Sequence, residues 1–223
     1  MRLTGVIAID GPAASGKTAV GRILAQRLRH KFLDTGSMYR ATTWMALKKG
    51  VDLTSEEELS RLVRELKMEI ISVPGDGERL LVNGEDVTGR LRDTQVEKWV
   101  SPVSKVLGVR RALIKEQRRL ARREKMVMAG RDIGTVVFPK AQFKIFLMAS
   151  PEERARRRYL ELENLGHPVS YAAVLEELNR RDRMDTERRY SPLKPATDAH
   201  VLDTEGFTIE EVVDRIMAFI EGR

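Results

Sequence analysis

Residues 6–18 read VIAIDGPAASGKT, and this stretch decides the fold. Its first four residues form a short apolar run rich in Ile and Val, which is typical of a buried strand. From Lys17 onward, apolar residues recur at helical spacing, so a helix is predicted to follow. The segment from Gly11 to Thr18 has the full spacing G-x4-G-K-T of a phosphate-binding loop. Strand, loop and helix in this order predict an α/β fold that binds a nucleoside triphosphate.

The residue types of this loop suit a polyphosphate. Gly11 and Gly16 let the backbone bend tightly and approach an anion without a Cβ in the way. Backbone N–H groups and the N-terminus of the helix then direct partial positive charge at phosphate oxygens. Lys17 is placed to reach the outer phosphates, and the hydroxyl of Thr18 can bind Mg²⁺. We therefore predict that the loop binds ATP or GTP, with Mg²⁺ as cofactor and Thr18 as its protein ligand.

The composition restricts the class of protein. With 223 residues the chain is long enough for one α/β domain with insertions. It has no cysteine, which excludes disulfides and thiolate sites and fits a reducing compartment. It contains neither an apolar run near the ~20 residues of a membrane span nor a signal-peptide pattern. We therefore expect a cytoplasmic protein without a membrane segment.

Basic residues exceed acidic ones, 40 against 33, which gives a net charge of +7. Much of the surplus lies in two runs, at 110–125 and 154–158. Neither run has the interleaved aromatic residues of a base-stacking surface, and aromatic residues make up only 5% of the chain. Most of the first run is interpreted as a solvated helix face. Nucleic acid is therefore not expected as a partner.

A second polar segment follows the first helix. A short apolar run ends at Asp34, and Gly36 is predicted to make a turn after it. The next helix is predicted to begin at Thr35 or Ser37, with Arg40 in its first turn. Polar groups at the carboxyl end of a strand are where open α/β sheets bind ligands, and an arginine there suits a second anion. The alternative is that Arg40 is an ordinary surface residue.

Residues 54–100 interrupt the alternation of strands and helices. A capping box that starts at Thr54 predicts a helix. Two β-like runs follow at 67–73 and 78–82, separated by a Pro-Gly-Asp-Gly turn, and an Asn-Gly pair gives another tight turn. We predict an inserted subdomain with a small antiparallel sheet, followed by one helical stretch to about residue 124.

Two more strands of the core are predicted at 126–129 and 143–148. The first ends in GRDIGT, which places Asp132 just past a buried strand. An acid in this position could act on Mg²⁺ through water, or it could recognise a substrate group as a carboxylate. The residues alone leave both roles open.

Two arginine-rich helices follow the second of these strands. The pair Ser150-Pro151 has the cap and first-turn positions of the first helix. In the second helix, Arg181, Asp185 and Arg188 are spaced four and three residues apart and share one face. They are either an ion-pair stripe within the helix or part of a mobile lid that closes on phosphates. A last strand and helix complete the chain.

Four segments together resemble the bacterial-type cytidylate kinases, which are P-loop nucleoside monophosphate kinases. They are GPAASGKT at 11–18, DTGSMYR at 34–40, GRDIGTVVFP at 130–139 and RDRMDTER at 181–188. The first is shared by many unrelated enzymes, whereas the second and third are much more specific. The similarity covers essentially the whole chain.

The resemblance implies a single P-loop kinase domain over residues 1–223. Its fold is a three-layer α/β/α arrangement with a parallel five-stranded core sheet, an inserted subdomain with a small antiparallel sheet, and a helical lid. The implied parts are the core at 1–53, 101–150 and 191–223, the nucleoside-monophosphate-binding insertion at about 54–100, and the lid at about 151–190.

The activity that the resemblance implies is transfer of the γ-phosphoryl group of ATP to CMP or dCMP, giving CDP or dCDP, in pyrimidine nucleotide metabolism. The implied cofactor is Mg²⁺, and the implied partners are the small molecules ATP and CMP or dCMP. We expect a monomer.

The resemblance also implies roles for individual residues. Those implied for ATP are Gly11, Pro12, Ala13, Ala14, Ser15, Gly16, Lys17, Thr18 and Ala19. Those implied for CMP are Thr35, Tyr39, Arg40, Ser101, Arg110, Arg131, Asp132, Asp185 and Arg188. Those implied for catalysis are Lys17, Arg131, Arg154, Arg158, Arg181 and Arg188.

The chemistry of the two bases favours a recognition role for Asp132. Cytosine presents an amino donor at N4, which a carboxylate accepts, whereas uracil presents an O4 acceptor to the same carboxylate. A buried carboxylate without a donor costs about 1–3 kcal/mol or more, so at least tens-fold discrimination against UMP is expected. Phosphoryl transfer also needs fixed cations, and arginine binds phosphate bidentately, which gives the Arg-rich segments a use.

Three alternatives remain from the sequence. The nearest is another small-molecule kinase with the same scaffold, acting on UMP, AMP or shikimate. A regulatory GTPase is disfavoured because no Asn-Lys-x-Asp segment is present. A basic nucleic-acid-binding protein would show steep salt-dependent binding and no phosphoryl transfer.

Overall fold

The computed structural model describes residues 5–73, 77–122 and 124–222. Its strands are β1 (Val6–Asp10), β2 (Lys31–Asp34), β3 (Met68–Val73), β4 (Gly77–Val82), β5 (Glu85–Asp86), β6 (Met126–Gly130), β7 (Phe143–Met148) and β8 (His200–Asp203). Its α-helices are α1 (Lys17–Leu28), α2 (Thr35–Lys48), α3 (Glu56–Glu65), α4 (Thr94–Lys105), α5 (Leu107–Ala121), α6 (Pro151–Asn164), α7 (Tyr171–Thr186) and α8 (Ile209–Glu221). A 3₁₀ turn at Thr88–Arg90 and a π-type turn at Ile133–Val137 complete the regular structure of these residues.

The core is a parallel five-stranded sheet with the strand order β2-β6-β1-β7-β8. β1 pairs in parallel with β6 and β7, so that Asp10 lies opposite Gly130 on one side and Phe146 on the other. Every residue of β1 and β6 is buried, as is usual for parallel strands that are covered on both faces. Because parallel strands end at the same edge, the segments that follow β1, β6 and β7 all begin there. The predicted fold class and parallel core sheet are confirmed.

The chain divides into two compact units. The larger unit comprises the residues up to Lys31 and those from Lys125 onward, and it contains α1, α6, α7 and α8 with four strands of the core sheet. The smaller unit is Phe32–Glu124, and it contains α2 to α5 with a second, three-stranded sheet.

The sheet of the smaller unit has the order β3-β4-β5 and is antiparallel, with Met68 opposite Val82. The predicted small antiparallel sheet is therefore confirmed. Asn83 and Gly84 have positive φ angles of 53° and 82°, as the predicted tight turn requires. The turn predicted at 74–77 lies, apart from Gly77, outside the described residues.

The predicted start of α3 was wrong by one residue. Ser55, not Thr54, caps this helix, since its hydroxyl accepts the N–H of Glu58 at 3.2 Å. The Thr54 hydroxyl instead donates to Asp52 at 2.7 Å. Thr54 and Ser55 are both suitable N-cap residues. Because Thr54 is hydrogen-bonded to Asp52, Ser55 caps the helix.

The predicted turn at Gly36 was also wrong, because this residue lies inside α2. Asp34 ends β2 and caps the helix directly, with its carboxylate accepting the Gly36 N–H at 2.9 Å. A Cβ at position 36 would lie 2.9 Å from the guanidinium of Arg40 and 3.0 Å from the Asp34 carboxylate. The glycine leaves room for this close approach of two side chains.

The helical stretch predicted up to residue 124 is two helices, α4 and α5. The break falls at Val106, whose extended backbone (φ −64°, ψ 119°) ends one helix and begins the next. Two residues later, a Cβ on Gly108 would lie 1.9 Å from the Ser60 hydroxyl of α3. α5 therefore packs closely against α3 at its first turn.

Candidate active site

The phosphate loop of the larger unit bends through two glycines with positive φ angles, 152° at Gly11 and 87° at Gly16. A Cβ on Gly11 would lie 2.2 Å from the backbone oxygen of Leu147 in β7, so no larger residue fits there. Gly16 is the N-cap of α1, which therefore begins at Lys17 as the sequence predicts. The loop thus lies at the carboxyl edge of the sheet with the helix N-terminus behind it.

Lys17 lies folded over its own loop. Its Nζ donates to the Pro12 carbonyl and to the Ser15 hydroxyl, the latter at 3.2 Å, and the residue is 7% exposed. Thr18 and Ala19 are half-buried in the first turn of α1. The ammonium group and the backbone N–H groups of the loop therefore belong to one compact element.

A buried arginine connects the loop to the two arginine-rich helices. Arg154 of α6 is 3% exposed, and it donates to the carbonyls of Ala149 at 3.0 Å and Ala13 at 3.1 Å. It also forms an ion pair with Asp182 of α7 at 2.6 Å. A buried guanidinium is stable only when its N–H groups are paired in this way. Arg154 therefore holds the loop, α6 and α7 together.

Apolar contacts support the same connection. Ala13 of the loop packs in a buried cluster with Ala155, Val174 and Leu178 of α6 and α7. Ala14 and residues of both helices surround this cluster. The small alanine side chains let the helices approach the loop closely.

Asp10 and Asp132 are two buried acids near the end of β1. Asp10 is 4% exposed, and its two oxygens accept the N–H groups of Ile133 at 2.8 Å and Gly134 at 2.7 Å. Asp132 is 5% exposed and immediately precedes these donors. Burial raises the pKa of Asp10 to about 6, an effect that the two N–H groups oppose and the nearby Asp132 charge reinforces.

The free energy of unfolding should change with pH because of the raised pKa of Asp10. Because the folded-state pKa of about 6 exceeds the ordinary value of 3.8, Asp10 contributes more stability at low pH and loses that contribution as the pH rises to about 6. Relative to an Asp10→Asn variant, the wild type should gain about 2 kcal/mol of unfolding free energy between pH 7.5 and pH 4.5. Urea unfolding of both proteins at the two pH values measures this, and the comparison cancels the titrating groups that do not interact with Asp10. A pH-independent difference would contradict the expectation.

A cluster of two arginines and one acid joins the GRDIGT segment to the end of α7. Arg131 Nε lies 2.9 Å from Asp185, and Arg188 Nη1 lies 3.6 Å from the same carboxylate. Burial alone would raise the pKa of Asp185, but the charges of Arg131 and Arg188 hold it below its ordinary value. Arg181 lowers it further. The predicted helix face was wrong for Arg188, because α7 ends at Thr186 and Arg188 lies just beyond it. Arg181 and Asp185 of α7 and the following Arg188 are nevertheless brought together with Arg131, so they are more than a stripe within one helix.

The other arginines of α6 have separate partners. Arg158 pairs with Glu161 of its own helix at 2.7 Å. Arg157 donates to the hydroxyl and carbonyl of Thr204, at 2.9 Å and 2.7 Å, and so holds the end of β8. Arg157 thus has a structural contact that its sequence context did not indicate.

In the smaller unit, the predicted substrate residues also lie close to acidic and aromatic partners. Arg40 Nε is 2.8 Å from Glu97, and both side chains are 18% exposed. Arg110 is 2% exposed, with its guanidinium 5.5 Å from the ring centre of Tyr39. Thr35 and Ser101 are buried as well. Arg110 is therefore not part of the solvated face to which most of its basic run was assigned.

A family model for cytidylate kinases matches residues 7–222. This chain belongs to the cytidylate kinase family. A cytidylate kinase of Bacillus velezensis is 48% identical over 217 residues, which cover 97% of this chain and 96% of that protein. One from Pseudomonas fluorescens is 47% identical over 219 residues, covering 98% and 96%. The family resemblance predicted from the four sequence segments is confirmed.

A solved structure shows the same fold at low sequence similarity. A gluconokinase from Sinorhizobium meliloti aligns with a TM-score of 0.51 and 15% identity over 99% of this chain and 94% of that one. This likeness concerns the fold alone, and the cytidylate kinase family is established by the sequence matches.

Two kinds of feature are absent from the described residues of this cytidylate kinase family member. No helix among them is long and apolar enough to cross a membrane. No group of three or more His, Asp or Glu side chains in the same part of the chain is placed to hold a metal ion. A Mg²⁺ that accompanies ATP needs no such group, because phosphate oxygens and water supply most of its ligands.

Sequence reasoning missed Asp10, Asp182 and Glu97. Asp10 ends a buried strand next to a glycine-rich loop, which is the same signal that pointed to Asp132. Asp182 and Glu97 pair with arginines far away in the sequence, and no local pattern in a cytidylate kinase chain indicates such partners.

Proposed function

We propose that this member of the cytidylate kinase family transfers the γ-phosphoryl group of ATP to CMP and dCMP, giving ADP and CDP or dCDP. The observation that carries the proposal is a buried carboxylate, Asp132, in the same compact unit as a complete phosphate loop. The loop selects a triphosphate donor, and the carboxylate suits an acceptor base that presents an amino group. UMP lacks that donor, and shikimate lacks a base altogether.

On the donor side, we propose that residues 11–19 bind ATP through backbone N–H groups, with Lys17 at the outer phosphates. The ammonium already lies within the loop, so little reorganisation is needed to reach a phosphate oxygen. Thr18 offers a hydroxyl oxygen at the first turn of α1, which suits Mg²⁺. When bound with ATP, Mg²⁺ neutralises charge on the outer phosphates.

For the acceptor, we propose one set of residues in the larger unit and another set in the smaller unit. In the larger unit they are Arg131, Asp132, Asp185 and Arg188, with Arg131 for the phosphate, Asp132 for the base, and Asp185 and Arg188 for the sugar. In the smaller unit they are Thr35, Tyr39, Arg40, Ser101 and Arg110, with Arg40 for the phosphate and Ser101 and Arg110 for the base. The support is chemical, because both phosphate-binding arginines are held in place by carboxylates.

We propose that the transferring phosphoryl group is contacted by Lys17, Arg131, Arg158, Arg181 and Arg188. Arg154 is assigned a different role from the one that the resemblance implied. Its guanidinium is buried on two carbonyls and Asp182, so we propose that it positions the phosphate loop and does not touch the phosphoryl group.

The remaining features are proposals on the same footing. We propose that residues of about 54–100 form the nucleoside-monophosphate-binding part and that about 151–190 act as a lid that excludes water. We also propose a monomer that acts in the cytoplasm. Sedimentation velocity at micromolar concentration tests the first of these two properties, and a dimer would overturn it.

The proposed function is tested by ADP release from ATP in the presence of CMP, dCMP, UMP, AMP or shikimate, with and without Mg²⁺. CMP and dCMP should support turnover in Mg²⁺, and kcat/KM for UMP should be at least tens-fold lower. Turnover with AMP or shikimate but not CMP would overturn the proposal. ADP release that no acceptor increases would overturn it as well.

A further inference from the structure

Asp10 is a buried acid that has no role in the assignments above. It is the last residue of β1 and directly precedes the first glycine of the phosphate loop. Its two carboxylate oxygens accept hydrogen bonds from the N–H groups of Ile133 and Gly134, which follow β6 at the same edge of the sheet. These donors lie 123 and 124 residues away in the chain, so the contact is purely tertiary.

The two donors are consecutive and immediately follow Asp132. When two successive N–H groups point at one carboxylate, the orientation of both peptide planes is fixed. The Asp132 carbonyl is held as well, because it accepts the N–H groups of Val136 and Val137 at 2.9 Å and 3.1 Å. With the backbone fixed on its carboxyl side, Asp132 has little freedom in the direction of its Cα–Cβ bond.

The surroundings of Asp10 are built for close approach. A Cβ on Gly134 would lie 3.3 Å from the Asp10 carboxylate and 3.2 Å from the Lys144 side chain, so a larger residue would be tightly packed against both. The charged groups that face Asp10 are Lys17 of α1 and Asp132, and the stem of Lys144 of β7 lies beside Gly134. The ammonium of Lys144 is paired with Asp198.

A second buried acid beside Asp132 is unfavourable, because burial and like charge both act against its ionised form. A neutral side chain would avoid this cost, but only a carboxylate accepts from both donors. An amide would meet one N–H with its oxygen and the other with its own NH₂ group. The ionised Asp10 carboxylate thus lowers the stability of the protein, but it fixes the positions of the two N–H groups.

We propose that Asp10 is a positioning residue that fixes the backbone after Asp132 and thereby aims the Asp132 carboxylate at the amino group of cytosine. This inference rests on the proposed function. Asp10 acts through Asp132 and does not touch the substrate, and its ionised form is the one that holds both N–H groups.

The test compares steady-state kinetics of the wild type, Asp10→Asn, Asp132→Asn and the double variant. Asp203→Asn is the matched control, since Asp203 also ends a strand of the same sheet and accepts one N–H from Glu205 at 2.9 Å, but is exposed. For Asp10→Asn we expect kcat/KM for CMP to fall about tenfold through a higher KM, with KM for ATP unchanged within about twofold. The double variant should be no worse than Asp132→Asn alone, because the two residues act as one unit. The control should match the wild type.

Several outcomes would overturn the inference. If Asp10→Asn raises KM for ATP as much as KM for CMP, Asp10 supports the phosphate loop and not base recognition. If the two substitutions are additive, Asp10 acts independently of Asp132. A wild type that does not phosphorylate CMP at all removes the proposed function itself, whereas an active wild type with an unaffected Asp10→Asn variant removes only this inference.

The wild type gives a second measurement that does not depend on the folding of any variant. The ratio of kcat/KM for CMP to kcat/KM for UMP should fall below about pH 6, where Asp10 takes up a proton and one N–H loses its acceptor. The ratio is needed because the phosphate group of each monophosphate also takes up a proton near pH ~6, and this effect is the same for both substrates. A ratio that stays constant between pH 5 and pH 8 would overturn the inference even if Asp10→Asn does not fold.

Discussion

Replacing Lys17 with methionine is expected to lower kcat by about 10²–10³-fold, the effect of removing one preorganised charge from a transition state. The Nζ of Lys17 lies on the Pro12 carbonyl and the Ser15 hydroxyl, so it is held in the loop before any nucleotide arrives. Methionine has a similar length and volume but no charge, and the loop should keep its shape. ADP release at saturating ATP and CMP measures the loss.

The matched control for this substitution is Lys144→Met. Both lysines lie in the larger unit and are almost fully buried, but Nζ of Lys144 binds Asp198 and the Pro139 carbonyl. Lys144→Met should lower the unfolding free energy, because the ion pair between Nζ and Asp198 is lost, and should leave kcat within a few-fold of the wild type. Equal loss of kcat in both variants would show that removal of a buried lysine, and not of the loop charge, causes the effect.

Replacing Asp132 with alanine is expected to lower kcat/KM for CMP by about 100-fold while KM for ATP stays nearly unchanged. Removal of the buried carboxylate takes away a charged acceptor for the cytosine amino group, an interaction of about 1.5–3 kcal/mol. The preference for CMP over UMP should shrink at the same time, because uracil no longer faces a carboxylate. Initial rates with both monophosphates at fixed ATP measure the two effects together.

Asp203→Ala controls for the loss of an acid at the edge of the sheet, because Asp203 is exposed at the end of β8. It should keep both the CMP rate and the preference over UMP. If Asp132→Ala instead weakens ATP and leaves CMP binding normal, Asp132 acts on Mg²⁺ and not on the base. That result would restore the alternative that the sequence alone leaves open.

The parts of the fold that could be predicted are those specified by adjacent residues. β1, the phosphate loop and α1 follow from a run of 23 residues, Val6–Leu28, whose apolar pattern and glycines act locally. The start of α3 was missed by one position, because Thr54 and Ser55 are both good caps and only the turn at Asp52 distinguishes them. The break at Val106 was missed, because the apolar pattern continues at helical spacing through it, and the close packing of Gly108 against Ser60 involves residues far apart in the sequence.

The candidate site also has parts that the sequence predicts and parts that it does not. The phosphate loop was evident from spacing, and Arg131, Asp185 and Arg188 were found through motifs, which the structure then joins in one cluster. The contacts of Arg154 with Ala13 and Asp182 could not be foreseen, since the resemblance placed this arginine at the phosphoryl group. The amino-acid composition does not distinguish a buried arginine from one on the surface. Only the structure makes that distinction.

The contacts of Arg154 have a consequence for anyone who exchanges segments among related kinases. The Arg154 guanidinium connects the Ala13 carbonyl of the nucleotide loop to both of the arginine-rich helices. The side chain of Ala13 packs against the same two helices. A chimera that imports only the loop, or only the helix pair, must still place the carbonyl of residue 13 within reach of the guanidinium and keep a small side chain against both helices. The smallest exchangeable module is therefore the loop with both helices, although more than 130 residues of chain separate Ala13 from Pro151.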